Sequence, residues 1–437
     1  MLSFSIQYPK FSFTNDLEFR PGLHVIYGES GVGKSWLIHS LAGSNPNGIP
    51  NYEIQKQVIP KNIQIVFQNP DNQIVADSIH QELAFAFECN SVDVKWIQDK
   101  VNSSAEDLPR KISLDRHPVT LSGGEMEQLN LVTTFGSNPN LIFIDDGLSF
   151  LTLKTKQKWV EKIREKIQSK NFIVIWFTSD PSDLDYGDSI WEMTSAFFKK
   201  YESKIPLYHK GKNKPAGGMR IQIQDLHFSY ENGYELYSGW TSEIQNCRSI
   251  GLRGENGSGK TTIARLLSKG LKPDSGDVKL TINHKTPSIA LVDQFPERML
   301  GVSSLEFFLD QLIAHEKMDE YHVSTCINVL QEHHIPWDSI KHKYPIDLPW
   351  NMIRLAVVIL LSNCNYEVLI FDEPTFGLGT EQTQKMINYF NEIMSRKHLV
   401  FISHNTNFLA SVCDGYIDLT KIEHSLAHDK VQFDDHE

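Results

Sequence analysis

The sequence predicts an α/β fold built as two similar units in tandem. Three observations carry that reading. A glycine-rich phosphate-loop pattern occurs twice, its landmarks recur at a nearly constant offset, and short apolar strands alternate with helical stretches in both halves. The first loop is Gly28-Glu29-Ser30-Gly31-Val32-Gly33-Lys34-Ser35 and the second is Gly254-Glu255-Asn256-Gly257-Ser258-Gly259-Lys260-Thr261, both of the form G-x-x-x-x-G-K-[ST]. Their first glycines lie 226 residues apart; Gln68 and Gln294 are also 226 apart, and Asp145 and Asp372 are 227 apart. Those offsets indicate an internal duplication.

Each loop has a physical reason for its composition. Leu23-His24-Val25-Ile26-Tyr27 reads as an apolar strand feeding the first loop, and Leu37-Ile38 continue a helix after it. Glycines let backbone N–H groups turn inward and approach phosphate oxygens with no Cβ in the way. The helix that starts at the loop aims its positive end at the same anion, an effect of about 0.3–1 kcal/mol when exposed. Lys34 and Lys260 supply formal charge for the outer phosphates, and the hydroxyls of Ser35 and Thr261 stand where Mg²⁺ is held.

Composition bounds the rest. At 437 residues the chain exceeds one ordinary core, so two domains are expected. The net charge of −12 gives no electrostatic footprint for nucleic acid or anionic lipid, so no nucleic-acid partner is expected. Five scattered cysteines (Cys89, Cys247, Cys326, Cys364 and Cys413), none in a C-x-x-C, fit a reducing compartment and argue against zinc or iron–sulfur sites. No signal-peptide core is expected at the N-terminus. The longest apolar runs, 355–361 and 172–177, fall short of the roughly 20 residues that span a bilayer, so any membrane role would be borrowed from a partner.

The expected organisation is a first domain over 1–197, a linker over 198–218 and a second domain over 219–437. The linker is basic and ends in Lys214-Pro215-Ala216-Gly217-Gly218. Ile221-Gln222-Ile223-Gln224 then alternates like a fresh strand. Ile63–Phe67, Leu141–Ile144 and Phe172–Phe177 read as buried strands of the first half, with Ile289–Val292, Val368–Phe371 and Leu399–Ile402 as counterparts. The acidic tail from Val431 reads as frayed.

Between its phosphate loop and Asp145 the first half carries Leu121-Ser122-Gly123-Gly124-Glu125. By itself this is a helix start, with Ser122 as cap and Glu125 completing a capping box, and such a start is also an anion site. A phosphate loop, a glutamine after a strand, L-S-G-G-[QE] and a hydrophobic strand ending in Asp, in that order, resemble the ATP-binding cassette (ABC) ATPases over nearly the whole chain, twice. The resemblance implies two P-loop nucleotide-binding domains, each with a RecA-like core and a helical subdomain, binding ATP and Mg²⁺. It also implies an intramolecular pseudo-dimer, each ATP lying between one phosphate loop and the other cassette's signature.

By that resemblance the second site combines Gly254 through Thr262, Gln294, Asp372, Glu373 and His404 with Ser122, Gly123 and Gly124. Asp372, Thr261 and Gln294 would hold Mg²⁺, Glu373 would orient and polarise the attacking water, and His404 would contact the γ-phosphate. Tyr230, in Phe228-Ser229-Tyr230, resembles the aromatic that stacks on adenine, with Tyr8 as the nearest counterpart; an aromatic at a strand end is also ordinary core. The first site would combine Gly28 through Ser35, Gln68 and Asp145, with Ser35, Gln68 and Asp145 at the metal. There the signature position reads Leu348-Pro349-Trp350-Asn351-Met352, the position matching Glu373 is Asp146, and that matching His404 is Ser179. A carboxylate withdrawn by one methylene is displaced on the order of 1 Å, and a misplacement of that size can cost about 10²-fold in rate. All three losses fall on one site, so the second is expected to hydrolyse ATP and the first to bind with slow or absent turnover. The family's aspartate shortly after the catalytic carboxylate is Thr152 in one half and Gly379 in the other, which bears on communication between sites.

Phe67-Gln68-Asn69-Pro70-Asp71-Asn72-Gln73-Ile74-Val75, with Gln294-Phe295-Pro296-Glu297, is similar to the ATPases of energy-coupling factor and cobalt-type importers. That implies an ATPase subunit powering vitamin or transition-metal uptake. It would sit peripherally on the cytoplasmic face of the cell membrane, with a transmembrane coupling protein and a small substrate-binding membrane protein as partners. Leu83–Phe87 and Leu305–Phe308 would be the docking helices, or ordinary core. The alternatives are a soluble tandem-cassette ATPase acting on ribosomes or nucleic acid, or the ATPase of another ABC transporter class.

Overall fold

The apolar runs that the sequence marks as buried strands become the centres of two parallel sheets. The structure, a computed structural model, describes residues 1–8, 14–44, 53–109, 112–201, 217–230, 235–254 and 257–419. Packing divides the chain into two compact units. One comprises Met1–Gly211, Asp293–Asn365 and Glu373–Glu392; the other comprises Lys212–Val292, Tyr366–Asp372 and Ile393–Glu437. Each half of the chain builds a parallel sheet, an antiparallel sheet and flanking helices.

In the first unit a six-stranded sheet runs in the order Ile63–Val66, Leu141–Asp145, Ile173–Thr178, Gly22–Tyr27, Ser189–Met193, Phe198–Lys200. All pairs are parallel except the last. The strand Phe198–Lys200 lies within the stretch that composition assigns to the linker; it adds to the sheet edge because Phe198 is buried against Trp191, 5.8 Å between ring centres. Successive side chains of a strand point to opposite faces. Accordingly Val25, Ile142, Ile144, Val174 and Trp176 enter one core, while Ile26, Leu141, Phe143, Ile173, Ile175 and Phe177 enter another. A sheet covered on both faces explains why these strands read as unbroken apolar runs. A three-stranded antiparallel sheet, Thr14–Phe19, Leu2–Gln7 and Glu53–Val58, covers one core. Helices Ile79–Cys89, Val94–Ala105 and Gly123–Gly136 enclose the other, with Trp159 of helix Leu153–Lys170 stacked on Phe135 at 6.4 Å.

The second unit repeats the scheme. Its parallel sheet runs Ile289–Val292, Val368–Asp372, His398–Ile402, Ser249–Arg253, Gly415–Asp418. An antiparallel sheet of Glu235–Cys247, Met219–Ser229 and Ser275–Ile282 packs beside it on Ile221, Ile223, Ile250 and Leu252. The alternation at Ile221–Gln224 therefore belongs to an edge-forming antiparallel sheet, half of it facing away from the core.

Trp159 fills the first unit's helical core, so Trp159→Ala is expected to destabilise that unit by about 3–5 kcal/mol, measured as a lower denaturant midpoint for its unfolding transition.

Candidate nucleotide site

In a parallel sheet the polar chemistry collects where the strands end. Gly28, Gln68, Asp145, Asp146 and Ser179 all follow or finish strands of the first unit's sheet, on one edge of it. The Gly28 N–H donates to the Thr178 carbonyl at 3.0 Å, which anchors the loop. Gly31 and Gly33 take left-handed φ of 89° and 98°, open to glycine at little cost. Helix Lys34–Ala42 starts at Gly33 with no side-chain cap, leaving its first N–H groups for an anion. The Lys34 ammonium is buried, donates to the Gly28 carbonyl at 2.7 Å, and lies 3.6 Å from Asp146 Oδ2. Val32 and Ser35 complete the loop. The Ser35 hydroxyl bonds Asp145, whose carboxyl is pushed up to about 6 by burial and by the neighbouring Asp146 charge. Asp145 Oδ1 is buried with no protein hydrogen-bond partner. A buried carboxylate oxygen left without a donor, beside a hydroxyl, suits a hard oxygen-seeking cation such as Mg²⁺. Gln68 stands half-buried after the adjacent strand.

Asp146 is occupied differently. Its Oδ1 accepts from the Ser179 N–H at 2.6 Å and from the Ser179 hydroxyl at 3.2 Å, and it is only 2 % exposed. With Lys34 on the other oxygen, both carboxylate oxygens are engaged inside the protein. The backbone at Asp146 is left-handed, φ 49°, and that at Glu373 matches it at 48°. The same strained turn is kept in both halves, while only the side chain differs.

The signature segment starts a helix, as its composition requires. Ser122 precedes helix Gly123–Gly136, and both its N–H and its hydroxyl donate to Glu125 Oε2 at 2.9 Å. Gly123 has a packing reason: a Cβ there would come within 2.7 Å of the Gln294 amide nitrogen and 2.9 Å of the Phe150 ring. Gly124 is buried beside it.

Two contacts in the first unit have no signal in the sequence motifs. The Ser30 hydroxyl donates to the Gly377 carbonyl at 2.9 Å and accepts from the Gly379 N–H at 3.0 Å. Glu29 accepts from Tyr27 at 2.6 Å and from the Glu381 N–H at 3.3 Å, and a Cβ on Gly379 would overlap its carboxylate. The departure at 379 thus has a local cause, because an aspartate there would set a like charge into space that Glu29 fills. Thr152, the other departure, caps helix Leu153–Lys170 by accepting from Thr155 N. Positions 127 and 354 also escape motif reading. Glu127, its carboxyl raised by burial, accepts from the Phe150 N–H at 3.1 Å, whereas buried Arg354 donates to the Glu373 carbonyl.

In the second unit Gly254 follows strand Ser249–Arg253, and Gly257 and Gly259 are left-handed. Glu255 and Asn256 lie outside the described residues, as do linker residues 202–216 and the tail beyond 419. Lys260 donates to the Gly254 carbonyl at 2.9 Å, and the Thr261 hydroxyl to Asp372 at 2.6 Å. Ser258 is buried under the loop, and the Tyr237 hydroxyl donates to the Gly259 carbonyl at 2.8 Å. Tyr230, 42 % exposed, is tied to the Thr262 hydroxyl at 2.5 Å and stands edge-on to Phe228. Tyr8 is 1 % exposed and belongs to the core, out of reach of a base. His404 is half-buried after strand His398–Ile402. Gln294 and Glu373 fall in the first unit and Thr261, Asp372 and His404 in the second.

The family model described as ABC transporter matches residues 16–149 and 237–376. A putative ABC transporter ATP-binding protein of Treponema denticola is 21 % identical over 440 residues, covering 91 % of this chain and 89 % of the relative. A putative HMP/thiamine import ATP-binding protein of Bacillus subtilis is 22 % identical over 490 residues, covering 96 % and 88 %. Among solved structures, a model of ribosome-bound archaeal Pelota and ABCE1 matches with TM-score 0.67 at 16 % identity, over 92 % of this chain and 73 % of that one. A structure described as RNase-L inhibitor matches with TM-score 0.57 at 15 % identity, over 91 % and 83 %.

These likenesses correct the narrower resemblance. The expectation of an energy-coupling-factor importer ATPase is overturned by the solved structures that match across both halves. With it go the transmembrane coupling protein, the small substrate-binding membrane protein and the peripheral place on the membrane's cytoplasmic face. The physical reason lies in the segment that carried the resemblance. Asn69 caps the turn Pro70–Gln73, Asn130 donates to the Pro70 carbonyl at 2.9 Å, and Gln73 donates to Asn130 and Thr134 at 3.2 and 3.0 Å. Those side chains fasten the segment to the signature helix. Of the expected docking helices, Leu83, Ala84, Phe87 and Leu305 are buried in the protein's own packing, while Phe85 and Phe307 are exposed. Among the described residues no helix is long and apolar enough to cross a membrane.

A cation can be held at Asp145 only when its carboxyl is ionised. In a Lys260→Ala chain, magnesium-dependent nucleotide binding is therefore expected to weaken about tenfold per pH unit below about 6, measured by titration with a fluorescent nucleotide.

Proposed function

We propose an asymmetric tandem ATPase from one premise: the chain belongs to the ABC transporter family. It is an ATP-binding and ATP-hydrolysing P-loop enzyme, and the family fold implies ATP with Mg²⁺. Our reading assigns turnover to the second site. Lys260 and the N–H groups opening helix Lys260–Leu267 bind phosphate, Thr261 and Asp372 hold the metal, Glu373 polarises the attacking water, and His404 contacts the transferring phosphoryl group. Mg²⁺, when bound, neutralises charge that develops on the phosphate oxygens. Tyr230 takes the base, and Ser122, Gly123 and Gly124 serve as the signature for this site. The cassettes, 1–197 and 219–437 around a linker at 198–218, act as an intramolecular pair.

One observation carries the asymmetry. Asp146, buried, accepts twice from Ser179 through Oδ1 and faces Lys34 through Oδ2 at 3.6 Å, and these contacts tie down the shorter carboxylate that would have to reach an attacking water. The first site, with Gly28 through Ser35, Gln68 and Asp145, then binds nucleotide and turns it over slowly. Glu373→Gln is expected to reduce steady-state ATPase activity by at least about 10²-fold, while Asp146→Asn changes it by less than about threefold. Comparable losses from the two would refute the asymmetry.

For the partner, the fold likeness to ribosome-associated ATPases supports a tandem ATPase acting on a ribosomal particle. The net charge of −12 favours contact through ribosomal protein over direct contact with RNA. A Glu373→Gln chain with ATP is expected to co-sediment with ribosomes from a fractionated lysate. Recovery with the membrane fraction alone would overturn this assignment.

A further inference from the structure

Two residues on the segments that follow Gln68 and Gln294 meet directly in the first unit. Arg298 makes a fork on Asp71: Nε donates to Oδ2 at 3.0 Å, and Nη2 donates to Oδ1 and Oδ2 at 2.7 and 2.6 Å. The same guanidinium lies 4.3 Å above the Phe295 ring, next to Gln294 in sequence. Phe295 closes a buried cluster with Phe150 and Phe376, at 5.5 Å from Phe150, while Phe150 and Phe376 stack at 3.4 Å. Both ends of the cluster lead to site residues. Phe150 borders Gly123, against which Gln294 is also set, and the Phe376 N–H donates to the Glu373 carbonyl at 3.2 Å.

An exposed ion pair contributes little to stability as a rule. Arg298 and Asp71 are 40 % and 23 % exposed, so folding alone is a weak reason for this geometry. A planar fork that also stacks on a ring fixes direction as well as distance, which a lysine could not do. We infer that Arg298 is a positioning residue. Held by Asp71, it fixes Phe295 and thereby sets Gln294 against Gly123 and Phe376 against the loop bearing Glu373. The pair would latch one half's glutamine segment to the other's and tie Glu373-dependent turnover to the state of the first half. This inference rests on the assignment of hydrolysis to Glu373.

The test is a charge swap in the full chain: Asp71→Arg, Arg298→Asp, the double variant, and Arg298→Lys. Arg298→Asp is expected to lower kcat about tenfold with KM changed less than about twofold, and Asp71→Arg to do the same. The double variant should recover kcat to within about threefold of the wild type, Arg298→Lys should fall between, and thermal midpoints should stay within a few degrees. Raising salt should lower kcat in Arg298→Lys more than in the wild type, because a point charge lacks the fork's paired hydrogen bonds. Wild-type kcat in Arg298→Asp, or a folded double variant no better than either single, overturns the latch. If a single variant does not fold, the kcat and salt response of Arg298→Lys decide, and wild-type values there overturn it as well. Glu373→Gln run alongside separates the two claims: its inactivity with a failed swap removes the latch alone, and its full activity removes the hydrolytic assignment beneath it.

Discussion

A parallel sheet packed on both faces leaves its interior strands no polar outlet except the edge where they end. Phe143, Phe177, Trp176 and Val174 fill the two cores of the first unit, so Gly28, Asp145, Asp146 and Ser179 gather where the strands end, polar though buried. The glycine loop, the acidic pair and Ser179 share that edge because hydrophobic burial disfavours them elsewhere. Strand register then fixes their spacing, as Asp145 opposite Phe177 and Tyr27 opposite Thr178 illustrate.

On that common frame the two halves differ by side chain and hardly by backbone. Asp146 and Glu373 share a left-handed φ near 49° and 48°, a conformation that a non-glycine residue holds only when its surroundings impose it. The loops after the two acid strands are also braced by opposite means. Glu127 accepts from a loop N–H in one half, whereas Arg354 donates to a loop carbonyl in the other. An acceptor at one position and a donor at its counterpart therefore serve the same mechanical purpose. What sets the first half apart here is a carboxylate one methylene shorter, held by Ser179.

Much of this was legible in the sequence, for a physical reason. Phosphate loops and buried strands are short-range features, written in consecutive residues such as Gly28–Lys34 or Val368–Phe371. The signature's two meanings, capping box and close approach, were half legible: Ser122 and Glu125 announce the cap, but the need for glycine at 123 comes from Gln294 and Phe150. The antiparallel sheets were missed because edge strands such as Glu53–Val58 carry little apolar content, and their partners are distant in sequence. The resemblance drawn from Phe67–Val75 misled because that segment's side chains bond to the helix behind it, a local packing role that does not specify a partner.

The pairing of Glu29 with Gly379 places a limit on how this chain can drift. A larger residue at 379 is excluded while the carboxylate at 29 occupies its space, and shortening 29 alone strips the Tyr27 hydroxyl and the Glu381 amide of their acceptor. Neither position has a free single step. The two positions, 350 residues apart, are bound to change together, so an aspartate at 379 fits only beside a smaller neighbour at 29.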